Sequence, residues 1–89
     1  MARRILKYRL QIADSQFVSM PAIHRMLDVQ VQRGTITLWT DVDEESPARK
    51  VKILCFGTGT NNPGPEVADE YIATVQDGVF VWHFFEASS

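Results

Sequence analysis

Residues 55–66, CFGTGTNNPGPE, gather glycine, threonine and asparagine in the one place where the chain could wrap backbone amides around a phosphate. A Walker-type loop needs G-x-x-x-x-G-K-[ST], whose lysine contacts the phosphates, and no lysine follows here. A dinucleotide-binding turn needs a third glycine and a long helix. Gly57-Thr58-Gly59-Thr60-Asn61-Asn62 offers neither. The stretch reads as a strand end followed by a long turn, with Thr58, Thr60 and Asn61 available to line a polar ligand rim.

The other residues able to do chemistry do not assemble into a set. His24, His83 and the single Cys55 cannot supply a Cys/His zinc site of ordinary spacing. His83, between Trp82 and Phe84, reads as a half-buried, hydrogen-bonded side chain. Residues 41–45, DVDEE, lack the glycine and spacing of a calcium loop and read as a solvated acidic segment. Ser15, Ser19 and Ser46 fall in turns, without a triad. No catalytic activity, metal or cofactor is expected.

Arg3, Arg4, Lys7 and Arg9 form a basic run, and they interleave with Leu6, Tyr8 and Leu10, as on the solvated face of a strand. The second reading of Arg3, Arg4 and Lys7 is as anion partners for a small nucleotide held by the 57–62 loop. With a net charge of −2 and a pI near 5.5, nucleic acid is not an expected partner. One cysteine excludes an intramolecular disulfide, which favours a cytosolic setting. The N-terminal apolar run is broken by Lys7, Arg9 and Gln11, so neither a targeting segment nor a membrane span is expected.

The elements that must position these residues are strands, because period-2 alternation dominates. Leu6, Tyr8, Leu10 and Ile12 share one face of a first strand, which ends at ADSQ; SMPAIHRM reads as a turn or a single helical turn. Leu27, Val29 and Val31 alternate with polar residues. A two-residue turn at Arg33-Gly34 pairs Val31 with Ile36, Val29 with Leu38, and Asp28 with Trp39. DEESPARK, 43–50, reads as a loop. Val51, Ile53 and Cys55 oppose Lys52, Leu54 and Phe56 on a strand apolar on both faces, hence central. A type I′ turn at Asp77-Gly78 sets Val75 against Phe80, Ala73 against Trp82, Tyr71 against Phe84, Thr74 against Val81 and Ile72 against His83. Residues 65–73 remain open between helix and strand, the β-branched run favouring strand for the second half. The expectation is a single domain, 1–89, mainly β: a small antiparallel sandwich or partly open barrel of five to six strands, with at most one or two helical turns.

Trp39 stands on the otherwise polar face of its hairpin with Asp28. It is either covered by another segment, such as the 57–66 loop, or exposed as an interface anchor. Apolar residues on both faces of the last hairpin point to a twofold homodimer.

The order KYRLQIADSQFVSMP, LDVQVQRGTITLWTDVD, FGTGTNNPG, YIATVQDGVFVWHFFE resembles a family of small uncharacterised proteins carried by bacteriophages and prophages. The likeness spans nearly the whole chain. Its elements are K-Y-x-L, M-P, V-x-Q-x-G-x-x-x-L-W, G-T-G and V-W-H-x-F-E. The chain departs from it after Met20-Pro21, where Ile23-His24 stands in place of Gly-Ala. The resemblance implies an accessory role in the host cytoplasm, exercised by binding, host-defence components being one class of target. The expected function is binding of a macromolecular partner, a protein, with a nucleotide second-messenger sponge and a structural or assembly protein as alternatives. Candidate interface or ligand residues are Trp39, Asp28, Thr58, Thr60, Asn61, His83, Arg3 and Arg4.

Overall fold

In the computed structural model, which describes residues 2–59 and 64–88, the chain forms β1 (Arg3–Arg9), β2 (Ser15–Pro21), β3 (His24–Gln32), β4 (Thr35–Asp43), β5 (Ala48–Gly57), β6 (Glu70–Asp77) and β7 (Phe80–Glu86). All pairs are antiparallel. They form a three-stranded sheet, β1-β4-β3, and a four-stranded sheet, β2-β5-β7-β6. The two layers pack face to face without closing into a barrel. The β expectation holds in class, with seven strands rather than five to six and no helix among the described residues.

Alternation explains the core. Leu38 and Val29 of one sheet meet Ile53 and Phe84 of the other, each at most 1% exposed. Burying such a side chain stabilises the fold by about 1.5–3 kcal/mol. As expected, β5 is central, with Val51, Ile53 and Cys55 inward and Lys52, Leu54 and Phe56 half-buried outward.

The first hairpin has the expected register, Val31 with Ile36 and Val29 with Leu38. Arg33 (φ 52) and Gly34 (φ 78) are both left-handed, as a type I′ turn requires. A bulge between Met26 and Asp28 then interrupts the alternation. Met26 packs on the core where Leu27 was expected, and Leu27 is displaced to the surface.

Three further expectations are corrected. SMPAIHRM is not a turn: β2 runs through Met20 to Pro21, and β3 starts at His24. The strand was hard to read because it lies at a sheet edge, where only Val18 and Met20 turn inward and Phe17 stays 65% exposed. Ile12 lies beyond β1 and is exposed. The loop in 43–50 shrinks to 44–47, since Asp43 closes β4 and Ala48 opens β5.

The last hairpin turns at Gly78-Val79, one residue later than expected, pairing Asp77 with Phe80 and Thr74 with His83. Gly78 alone takes positive φ, at 62°, the pattern of a type II′ turn. That arrangement gives glycine the left-handed position and spares β-branched Val79 from it. A one-residue move of the turn shifts the register by two, so the inward face survives. A bulge between Tyr71 and Ala73 then reverses the parity. Tyr71 pairs with Phe85 on the outer face, not with Phe84 on the inner one.

Candidate functional site

The outer face of the four-stranded sheet is built by two rows of the register. One row runs Ser15, Leu54, Phe85, Tyr71; the next runs Phe56, His83, Thr74. Phe85 meets Phe56 edge-on at 5.8 Å between ring centroids and Tyr71 at 5.5 Å. Edge-to-face geometry fixes the rings, because the positive edge of one faces the negative face of the other. Tyr71 remains 60% exposed.

Beside the rings runs a polar line. His83 Nε2 lies 2.6 Å from Thr58 Oγ1, and its Nδ1 lies 3.0 Å from Thr74 Oγ1. Thr74 Oγ1 in turn lies 2.8 Å from the Tyr71 hydroxyl. Every member of this chain can donate or accept, so proton positions adjust along it and the imidazole is held in one orientation. Thr58 is itself anchored, its backbone amide donating to the Val81 carbonyl at 3.1 Å. The expectation for His83 is met in kind: it is half-buried and hydrogen-bonded.

The described part of the loop that follows β5 folds against this same sheet. Gly64, Glu66 and Asp69 line a cavity of about 400 Å³ over Leu54 and Phe56. Asp69 ties the loop down, its Oδ2 accepting from the Glu66 amide at 2.9 Å and its Oδ1 from the Ser88 amide at 3.0 Å. Those two amides hold its carboxyl below the usual carboxylate range. Residues 64–69 therefore do not cover Trp39, which lies on the outer face of the other sheet.

The remaining sequence candidates separate. Trp39 is half-buried, between Lys7 of β1 and Asp28 of β3 in the register. Asp28 is occupied locally, accepting from the Val29 amide and from Gln30 Nε2. Arg3 pairs with Asp41, and Arg4 Nη1 lies 3.0 Å from Glu44 Oε2. The Arg3 guanidinium holds the Asp41 carboxyl below its usual range. Asp43 Oδ1 caps the following turn through the Glu45 amide at 3.0 Å. The acidic segment thus serves arginines and turn amides, and among the described residues no cluster of three or more metal-ligating side chains occurs. Thr60 and Asn61 lie outside the described residues. Thr58 and His83 come together; Arg3 and Arg4 are far from both, on the other sheet.

Sequence reasoning missed Tyr71 as an outer-face residue, and no local signal marks the bulge that puts it there. It also missed His24 as a bridge between the sheets. Phe56 and Phe85 were legible as off-core positions by parity. Cys55 lies in the core, and burial pushes its thiol up to about 11.

A family model described as a domain of unknown function, DUF7352, matches residues 1–89, and the chain belongs to that family. No curated protein and no solved structure matches it.

Proposed function

We propose that this protein acts without catalysis, by binding a macromolecular partner through the outer face of its four-stranded sheet. The observation that carries the reading is the juxtaposition of exposed Tyr71 with the Phe56 and Phe85 rings and the fixed line Tyr71, Thr74, His83, Thr58. Rigid aromatic area beside oriented polar groups is the composition of interface hot spots, since aromatic anchors give large contact at low entropy cost. Phe17, on the outer side of edge strand β2, extends the apolar surface. Trp39 fits the anchor role less well, because it is half-buried among charged neighbours.

A protein is the partner class that this surface suits. The resemblance to phage proteins favours a host-cell component, and a defence protein in particular, in the cytoplasm. A second copy of the chain is the competing occupant, because apolar Val79 and Phe80 stay exposed at the tip of the last hairpin.

The test is quantitative capture of a host protein by the intact chain, repeated with Tyr71→Asp and, as a control on the exposed hairpin tip, Val79→Asp. Binding lost with the first and kept with the second supports the reading. Equal binding by both variants sinks it. Light scattering of the free protein identifies the self-pairing case by a mass that rises from 10.1 kDa toward twice that value.

A further inference from the structure

The end of the three-stranded sheet beside the β3–β4 turn holds a cavity of about 340 Å³, and its charged lining residues are Lys7, Arg9 and Arg33. No carboxylate lines it. Lys7 Nζ donates to Gln32 Oε1 at 3.1 Å, a neutral acceptor that leaves the charge uncompensated. Among the described residues the ion pairs involve Arg3, Arg4 and His24, and none reaches Lys7, Arg9 or Arg33. In a chain of net charge −2, three cations are thus gathered without a counter-charge. Like charges gathered in this way raise the local attraction for an anion.

The backbone places these groups for reasons already given. Lys7 and Arg9 are two residues apart on β1 and share the outer face. Arg33 occupies a left-handed position, φ 52, that few residues other than glycine adopt readily. Thr35 and Thr37 complete the wall. Trp39 lies two residues beyond Thr37 on the same face of β4, about 7 Å along the strand.

We propose that this cleft binds the phosphate of a nucleotide, with Trp39 positioned to stack on the base. Two guanidinium forks and an ammonium match a phosphate dianion in charge and in donor geometry. An aromatic face next to such a cluster supplies the sequence-tolerant stacking that planar bases use. This site is on the opposite sheet from the aromatic face described above and does not depend on it.

The experiment is a calorimetric titration of the intact protein with AMP, adenosine and inorganic phosphate at low ionic strength. It is repeated on Arg9→Gln/Arg33→Gln and on Arg4→Gln as a control. AMP is expected to bind at least tenfold more tightly than adenosine or phosphate alone, to weaken with added salt, and to lose at least tenfold in the double variant but not in the control. Trp39→Leu is expected to weaken AMP while leaving inorganic phosphate unchanged. Since both arginines are exposed, thermal melting of the double variant should match wild type. Absence of heat at millimolar AMP, equal affinity for AMP and adenosine, equal affinity for AMP and phosphate, or an unaffected double variant would each overturn the assignment.

Discussion

His24 on β3 and Glu86 on β7 join the two sheets, with His24 Nε2 3.1 Å from Glu86 Oε2. His24 Nδ1 lies 2.9 Å from the Pro21 carbonyl oxygen, which can only accept, so Nδ1 carries a proton. The contact with Glu86 is therefore made by a single shared proton, whichever partner holds it. The His24 side chain is only 6% exposed, so removing Glu86 leaves a polar group with nothing to bond. Glu86→Ala and His24→Ala are each expected to cost about 2–3 kcal/mol. Urea denaturation of both and of the double variant checks this: a coupling above about 1 kcal/mol supports the bridge, and strict additivity refutes it.

Arg3 and Asp41 make the acid response predictable in sign. Asp41 is lowered from 3.8 chiefly by its hydrogen bond to Arg3, so the pair favours the folded state above that value and the contribution disappears as pH falls through the lower, folded one. The stability difference between wild type and Asp41→Asn should therefore be present at neutral pH and shrink on acidification below 3.8. The pair is solvent-exposed, so added salt should shrink it too. Denaturation as a function of pH reads both; a difference that grows toward low pH contradicts the assignment.

Cys55 should be chemically silent in the folded protein. With its thiol raised by burial to about 11, only about one molecule in a thousand is thiolate at pH 8, and the residue is only 4% exposed. Labelling by a thiol reagent should track global unfolding and accelerate in denaturant. Rapid stoichiometric labelling under native conditions would contradict the burial.

The type II′ turn gives a sharp backbone test. At Gly78, with φ 62 and open space around it, Ala meets no clash but a strained conformation, costing about 1 kcal/mol. Val79→Ala, at a position that is fully exposed, should change stability by less than about 0.5 kcal/mol. A type I′ turn at Asp77-Gly78 predicts instead that Asp77→Gly is stabilising. Thermal melts of the three variants distinguish the turns.

Trp39→Ala is expected to cost about 1–2 kcal/mol, between the values for a surface and a core residue, because the ring is half-buried. A loss above about 4 kcal/mol would place the ring in the core and remove it from any ligand contact.

Alternation and turn chemistry by themselves determined a great deal. The inward faces of β4 and β5, the central place of β5 and the Arg33-Gly34 hairpin with Asp28 opposite Trp39 follow from side chains that point to opposite faces at every step. These are local facts, carried by residues within a few positions of one another. Tertiary structure decided what period 2 cannot encode. Two bulges, at Leu27 and Ile72, each reverse the parity of a strand, and the second of them brings Tyr71 onto the face of Phe85. The edge strand β2 carries too few inward residues to announce itself and exists because β5 pairs with it. Thr58 and His83 are 25 residues apart and meet only through the β5–β7 pairing. The same is true of Lys7 and Arg9 with Arg33, which the β1–β4 pairing and the β3–β4 turn bring to one cleft. Non-local strand pairing sets which distant polar groups become neighbours, and its register depends on turns and bulges, where a single residue shifts the outcome.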